Sequence, residues 1–447
     1  MLFLVILLGV IFVVVATAVF KLHPFLALLI SAFFVGIASG MPLLTVVENV
    51  NAGFGGLMTS IGIVIVAGTI IGVILEKSGA AYRMAEVVLR VLGEKRPQLA
   101  MSIIGYIVSI PVFCDSGYII LSSLKKSLAK RAKVKVASMA IALSTGLYAT
   151  HTLVPPTPGP IAAAGNIGAT DYLGTIILVG LFVAIPAVIV GYLWAIKVGT
   201  TIEVEADEEE ALDYEDVIKS FGKMPSTFKS FLPIVLPIVL IGIGSVAALT
   251  GSETGFTQFL RFLGAPTVAL LFGVFASFLL LPEISEKTLS GWIGESLKEA
   301  APILLITGAG GSFGTVIKNS GVADLLQQMD LGALANGAWF LLVPFLIAAA
   351  LKTAQGSSTA ALVITSSLIA PMLPTIGIEG ALPLALVVMA VGAGAMTVSH
   401  VNDSYFWVVT QFSGMKVTDA YKAQTMATLL QGVTTIIVTM ILWFIFV

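Results

Sequence analysis

The stretch "PVFCDSGYII", residues 111–120, puts a carboxylate inside an apolar run. Asp115 lies four residues after Pro111 and two residues before Gly117, so the backbone is predicted to leave the continuous helix at this point. An ionised carboxylate is costly in hydrocarbon, and such a residue in a membrane segment usually marks a functional site. The stretch therefore predicts a membrane helix that is interrupted at Asp115, with the carboxylate held at the break.

The composition of the whole chain sets the class of protein. Its 447 residues are 57% hydrophobic and 11% charged, with a mean hydropathy of +1.04. Apolar runs of about 17 or more residues recur, and each can cross about 30 Å of hydrocarbon. An ordinary soluble domain is excluded, the net charge of −2 indicates no nucleic-acid partner, and a single cysteine excludes an internal disulfide. We predict a multi-pass protein of the cell membrane, with the lipid bilayer as a partner and with neither a cofactor nor a metal.

The apolar runs predict most membrane spans directly. Full or near-full spans are expected at about 2–20, 24–40, 57–76, 173–196, 231–250, 266–282, 301–318 and 425–447. The first run has no basic residue before it and a lysine after it, the reverse of a signal peptide, so it is expected to remain as a helix. Segments 80–93 and 286–300 have an amphipathic pattern and are predicted to lie at the interface.

Four further regions consist of apolar arms around a polar tip. Regions 98–124 and 336–370 are predicted to be re-entrant helical hairpins. Regions 136–168 and 384–414 are predicted to be discontinuous transmembrane helices. Such breaks persist in a membrane only where protein, water or a ligand pairs with the exposed backbone groups.

The positive charges indicate an orientation. If each hairpin returns to the side from which it entered, both termini lie outside. Of the 23 lysines and arginines, Arg261, Lys318 and Lys352 then lie outside and the other 20 inside, as the positive-inside rule requires. In this topology we expect the Lys352 side chain to reach the outer interface rather than to pair with an anion.

Two parts of the chain repeat one pattern of small residues. The sequence "GTIIGVILEKSG" at 68–79 resembles "GGSFGTVIKNSG" at 310–321, an offset of 242 residues. The same offset brings "DSG" at 115–117 onto "SST" at 357–359. In the predicted topology the two copies cross the membrane in opposite directions, so the repeats are inverted. This arrangement is typical of secondary transporters.

We therefore predict an all-α integral membrane protein, an inverted-repeat secondary transporter with two re-entrant hairpins and two discontinuous transmembrane helices. Residues 1–196 are expected to form the first repeat and residues 231–447 the second. Residues 197–230, which include the acidic stretch "EVEADEEEALDYED", are expected to be a cytoplasmic linker.

The four breaks are predicted to meet and to form a binding site near the middle of the membrane. Helix N-termini present N–H groups that suit an anion, and hydroxyl and amide groups suit a hydroxylated substrate. The predicted substrate-binding residues are Ser116, Gly117, Thr150, His151, Thr152, Thr157, Gly356, Ser357, Ser358, Thr359, Ser399, His400, Asn402 and Ser404. Asp115 and Asp403 are predicted to carry a coupling proton, because burial disfavours an ionised carboxylate.

Each of these residues also has a local explanation. Serine and threonine in membrane helices often donate to a carbonyl of their own helix, and a buried aspartate can belong to a structural salt bridge. The histidines favour the site interpretation. The chain has three, and two of them, His151 and His400, occupy related positions in breaks, 249 residues apart.

These motifs together resemble the gluconate permease family of gluconate:proton symporters, within the larger ion transporter superfamily. The resemblance covers nearly the whole chain and rests on "HPFLALLISAFFVGIASGM" (23–41), "FCDSGY" (113–118), "HTLVPPTPGP" (151–160), "GSSTAA" (356–361) and "SHVNDSYFW" (399–407). It implies proton-coupled uptake of a sugar acid, two hairpins, an elevator mechanism and a homodimer. Asp115 stands where the family often has glutamate, and Thr157 replaces a histidine. These departures leave gluconate, idonate and D-serine open as substrates.

Other classes of function stay open from the sequence. Oxygen-rich tips could coordinate Na⁺ in a Na⁺-coupled carboxylate transporter, or the protein could be a D-serine or glycerate permease. A passive channel is distinguished from a symporter by uphill accumulation. An intramembrane aspartyl protease could use Asp115 and Asp403 as a dyad, although the usual protease motifs do not occur.

Overall fold

The computed structural model describes residues 2–93, 96–204, 224–249, 254–321, 337–401 and 403–447. Within these ranges the chain is helical and has no β-strand. Most of the predicted acidic linker lies outside the described residues, and so does Asn402 of the predicted binding site.

The helices follow one another with short connections. Those of the first half are α1 (Leu2–Ala18), α2 (Pro24–Ala38), α3 (Leu43–Lys77), α4 (Ala80–Leu92), α5 (Pro97–Val108), α6 (Cys114–Ile120), α7 (Ser122–Ala132), α8 (Val136–Leu153), α9 (Pro158–Asn166) and α10 (Leu173–Lys197). Those of the second half are α11 (Thr227–Leu249), α12 (Gly255–Gly264), α13 (Pro266–Ser277), α14 (Lys287–Asn319), α15 (Gly337–Gln355), α16 (Ser358–Ile369), α17 (Ala381–Met396), α18 (Ser404–Phe412) and α19 (Val417–Phe446).

Several helices are suited to a bilayer. Within the described residues, six helices are long and apolar enough to cross a membrane: α3, α10, α11, α14, α15 and α19. The pair α12 and α13, bent by 62°, could form one more span. The chain is therefore a multi-pass membrane protein, as its composition predicts.

Two predicted boundaries were wrong. Residues 287–300 do not form a separate interfacial helix, because they are continuous with the span in α14. Likewise, α3 begins at Leu43 rather than near residue 57. The polar groups that lower the local hydropathy have partners on the other helix: Asn319 donates to Asn49 at 2.8 Å, and Lys77 pairs with Glu295 at 2.6 Å. A pattern read along one helix cannot show such pairs.

The helices break where the sequence predicts. Interruptions separate α5 from α6, α8 from α9, α15 from α16 and α17 from α18. Pro155 and Pro156 lack the N–H that a continuing helix needs. Gly356 ends α15 with a φ of +82°, which glycine adopts without steric cost, and Ser357 then caps α16 by accepting from the Ala360 N–H at 3.2 Å.

The helices pack in two groups. The first, which we call the core bundle, contains α5–α10 and α15–α19. Its main contacts join α5 and α10 to α8, and α15 and α19 to α17. The second, the framework, contains α1–α4 and α11–α14, with α14 against α2 and α3. All four breaks lie in the core bundle, so this packing determines where the polar side chains meet.

Candidate functional site

A buried ion pair lies where two of the breaks meet. The Lys352 ammonium contacts Oδ2 of Asp403 at 2.6 Å, and the side chains are 0% and 5% exposed. Lys352 belongs to the last turn of α15, and Asp403 immediately precedes α18. The expectation that Lys352 would reach the outer interface is therefore wrong.

Local structure positions both partners. Lys352 lies four residues before Gly356 and donates to its carbonyl oxygen at 2.8 Å, so the ammonium stays at the helix end. Asp403 caps α18, because its Oδ1 accepts from the Tyr405 N–H at 3.1 Å. Its Oδ2 also accepts from the Ser399 hydroxyl at 2.5 Å. The ionised form of Asp403 is thus stabilised by a cation, a hydroxyl and a helix N-terminus.

The second carboxylate, Asp115, has weaker partners. Its Oδ2 faces the Cys114 thiol at 3.6 Å, and the Ser404 side chain lies beside it. Among the described residues, its buried Oδ1 has no hydrogen-bond partner. Asp115 is close enough to Asp403 and Lys352 to interact electrostatically with both. Two carboxylates and one lysine therefore share one low-dielectric region.

The end of α8 adds buried polar groups to this region. His151 is 6% exposed, and its ring makes a tilted contact with Phe113, with the ring centroids 5.8 Å apart. It also interacts electrostatically with Lys352 and Asp403. Within the described part of the chain, three buried atoms make no hydrogen bond here: His151 Nδ1, Thr150 Oγ1 and, on α15, Gln355 Nε2. Buried polar atoms are almost always paired in proteins, so unpaired ones near a charge cluster are expected to meet a ligand or water.

Other predicted residues make local hydrogen bonds. Thr152 donates to the Tyr148 carbonyl at 3.0 Å, and Thr157 to the Val154 carbonyl at 2.6 Å. His400 donates from Nε2 to the Thr353 carbonyl at 2.8 Å, which joins the break before α18 to the end of α15.

The remaining predicted residues lie at helix N-termini. Ser116 and Gly117 follow Asp115 in the first turn of α6, and Ser358 and Thr359 open α16. Ser357, before α16, and Ser404, opening α18, are exposed. The breaks thus place these residues on separate short helices whose N-termini belong to one bundle.

Sequence reasoning missed two contributors. The topology predicts the Lys352 side chain at the outer interface, whereas its ammonium pairs with Asp403 in the site. Tyr148 was not considered, yet its ring lies 5.7 Å from the Lys352 ammonium. The usable signal for Lys352 was its spacing from Gly356, since a lysine in the last turn faces the carbonyl groups at a helix C-terminus. The described residues contain no group of three or more His, Cys, Asp or Glu arranged to hold a metal ion.

Comparison with known proteins gives one consistent family. The family model for GntP family permeases matches residues 1–445. An uncharacterized permease of Haemophilus influenzae is 36% identical, over 88% of this chain and 82% of the relative. A gluconate permease of Pseudomonas aeruginosa is 33% identical (91% and 89%), and the D-serine transporter DsdX of Escherichia coli is 32% identical (98% and 97%).

The fold also has a solved counterpart. The crystal structure of the YdaH transporter of Alcanivorax borkumensis matches with a TM-score of 0.66 and 18% identity, over 94% of this chain and 98% of that one. At this identity the match supports the fold alone.

Proposed function

Because the chain belongs to the GntP family of permeases, which are transporters and not enzymes, we propose that it is a proton-coupled symporter for a small hydroxylated carboxylate. Gluconate or a related sugar acid is the expected substrate, and the inner membrane the expected location, since relatives are named as gluconate permeases and as an inner membrane permease. The relative named as a D-serine transporter makes that amino acid the second candidate.

The observation that carries this proposal is the cluster of Asp115, Asp403 and Lys352 between the interrupted helices. A cation and helix N-termini suit a substrate carboxylate, and the unpaired polar atoms of Thr150 and His151 suit its hydroxyl groups. Asp115 has no cation of its own within the described residues and is the expected proton carrier. Asp403, which Lys352 neutralises, is the alternative.

An elevator mechanism is supported by how the core bundle meets the framework. A Cβ at Gly68 would lie 2.6 Å from the Pro156 carbonyl oxygen, and one at Gly72 would lie 2.5 Å from that of Pro111, so two breaks rest directly on α3. Gly310 and Gly314, which correspond to Gly68 and Gly72 in the repeat, line a cavity of about 430 Å³ beside the ends of α9 and α16, although a Cβ at Gly310 would also meet the Ser367 hydroxyl. This cavity, which α3 and α14 of the framework and α9 and α16 of the core bundle line together, provides space for the core bundle to move.

In the proposed mechanism, residues 1–196 and 231–447 are inverted repeats, each repeat contains one re-entrant hairpin, and both termini lie outside. The protein would be a homodimer, in which the framework stays fixed while each core bundle moves.

The function is tested by transport into proteoliposomes. The purified protein should accumulate labelled gluconate against its gradient when the outside is acidic, and a protonophore should abolish this accumulation. A Na⁺ gradient alone should have no effect, and competition by D-serine would identify the second substrate. Equilibration without accumulation would indicate a channel. Cleavage of a membrane peptide without uptake would indicate a protease.

A further inference from the structure

Building on the proposed function, we propose that Lys352 binds the carboxylate of the substrate, and that Asp403 occupies the same ammonium as an internal counter-ion until the substrate arrives. Asp403 would then compete with the substrate carboxylate for the Lys352 ammonium, so the ion pair would be more than a structural salt bridge.

The position of the ammonium supports this role. It is fully buried at the C-terminus of α15, beside the N-terminal turns of α16 and α18. Asp403 at 2.6 Å and the Gly356 carbonyl at 2.8 Å take two of its donors, and no described residue takes the third, which is available to a ligand. The Tyr148 ring covers another side at 5.7 Å.

A second buried lysine shows that the location matters. Lys125 is also 0% exposed, but it donates to the Tyr118 hydroxyl, the Ser413 hydroxyl and the Phe412 carbonyl, so the structure gives all three of its donors a neutral acceptor. These contacts join α6 and α7 to the C-terminal end of α18, whereas Asp403 precedes the N-terminal end of that helix. Lys125 therefore provides a matched control for Lys352.

The neighbouring unpaired groups define the rest of the ligand. Gln355 Nε2, His151 Nδ1 and Asp115 Oδ1 are buried and have no partner among the described residues. A carboxylate at Lys352 that carries hydroxyl groups could satisfy such donors and acceptors. A simple fatty acid would leave them unpaired, which would weaken binding by about 5- to 150-fold for each group. The site is thus suited to a hydroxy acid.

The charges explain why substrate and proton would move together. The groups around the ion pair are Asp115, Cys114, Tyr148, His151, His400 and Tyr405. Binding of a substrate anion adds one negative charge to this buried cluster, and binding of one proton to a carboxylate removes it again. With both carboxylates ionised, Lys352, Asp403 and Asp115 together carry a charge of −1. A substrate anion alone would bring this charge to −2, which is costly in low dielectric, whereas a substrate anion and one proton together leave it at −1.

The proton is best placed on Asp115. When Lys352 turns to the substrate, Asp403 still accepts from the Tyr405 N–H and the Ser399 hydroxyl at the N-terminus of α18, and both contacts favour its ionised form. Asp115 has no comparable set of donors in the described structure. The exchange therefore assigns separate roles, with Lys352 as substrate ligand, Asp403 as competing counter-ion and Asp115 as proton carrier.

The test compares binding of gluconate with binding of its neutral amide, gluconamide, to the purified full chain by calorimetry. Wild type should prefer the acid by about 10- to 150-fold, as expected for one charge-assisted hydrogen bond. Lys352→Gln should reduce this preference to about one, Lys352→Arg should retain much of it, and Lys125→Gln should leave it unchanged. A purely structural role for Lys352 would lower both affinities and keep their ratio.

The sign of the Asp403→Asn effect gives a second readout. Asparagine caps a helix as well as aspartate does, so α18 should be preserved. Removal of the competing anion should tighten gluconate binding and leave gluconamide binding unchanged. If Lys352→Gln unfolds, the double variant with Asp403→Asn, which buries no unpaired charge, is measured instead.

An unchanged preference for the acid in Lys352→Gln, or weaker gluconate binding in Asp403→Asn, would overturn the inference while leaving the symporter proposal intact. A wild-type protein that binds neither gluconate nor any other hydroxy acid would overturn the proposed function, and this inference with it.

Discussion

The Lys125 ammonium donates to the Ser413 hydroxyl at 2.9 Å, across 288 positions of the sequence. Ser413 also lies 2.5 Å from the Tyr118 hydroxyl, so the three side chains form one buried group that joins α6 and α7 to the end of α18. Each donor of a buried ammonium that lacks an acceptor costs free energy. This contact therefore joins two distant segments of the core bundle.

Ser413→Ala should lower the free energy of unfolding by about 1–3 kcal/mol, because it leaves a donor of Lys125 unsatisfied. In a Lys125→Met background the same change should cost less, with a coupling energy of about 0.5–3 kcal/mol. Denaturant unfolding in detergent is measured for the four members of this double-mutant cycle: wild type, the two single variants and the double variant. Ser277→Ala on α13, whose hydroxyl bonds its own helix, is the control and should show no coupling.

Thr150 and Thr152 separate a site residue from a local one. Both are buried on α8, but Thr152 bonds the Tyr148 carbonyl, whereas Thr150 Oγ1 has no partner in the described residues. If Thr150 bonds a hydroxyl of the substrate, Thr150→Val should weaken gluconate binding by roughly 2- to 12-fold, and Thr152→Val should change it little. Calorimetry measures the gluconate affinity of the two isosteric variants. An equal loss of affinity in both would show that Thr150 does not contact the substrate.

The sequence predicts those parts of this protein that have local causes. The break at Gly356 follows from a helix-ending glycine and a capping serine that are neighbours in the chain. The pair of Lys352 and Asp403 does not, because it depends on how α15 and α18 approach each other across 51 positions. For the same reason the polar start of α3 was not assigned to a helix, since Asn49 has its partner, Asn319, in the other half.

Gly72 and Gly62 test the contact between α3 and the core bundle. A Cβ at Gly72 would lie 2.5 Å from the Pro111 carbonyl oxygen, whereas at Gly62 the nearest atom is the Met58 sulfur at 4.0 Å. Gly72→Ala should destabilise the protein by about 1–3 kcal/mol through overpacking and should reduce uptake. Gly62→Ala should be neutral or slightly stabilising, by up to about 1 kcal/mol. Unfolding and uptake are measured on both variants, and equal behaviour would argue against a tight contact at Gly72.

The predicted topology places the loop before α12 outside and the end of α7 inside. Gly255→Cys and Lys133→Cys, both at exposed positions, should therefore react with an impermeant maleimide from opposite sides of the membrane. The background should be Cys114→Ala, because serine would place a hydroxyl against Asp115. Reaction of both cysteines from the same side would contradict the hairpin topology.

Asp115→Asn should separate proton coupling from substrate binding. Asparagine resembles the protonated carboxyl in shape and charge, so substrate binding and counterflow, which need no net proton movement, should persist. Accumulation driven by a pH gradient should be lost. Wild-type affinity should also rise as the pH falls, because binding takes up a proton, and this pH dependence should disappear in the variant.

The control for this variant is Asp171→Asn, which alters an exposed carboxylate after α9 and should behave as wild type. Asp403→Asn should keep the pH dependence if Asp115 is the carrier. Because Asp403 has a cation and two donors in place, whereas Oδ1 of Asp115 is unpaired among the described residues, the two variants should differ in kind and not only in degree. Accumulation that survives in Asp115→Asn and fails in Asp403→Asn would reverse the assignment and place the proton on the partner of Lys352.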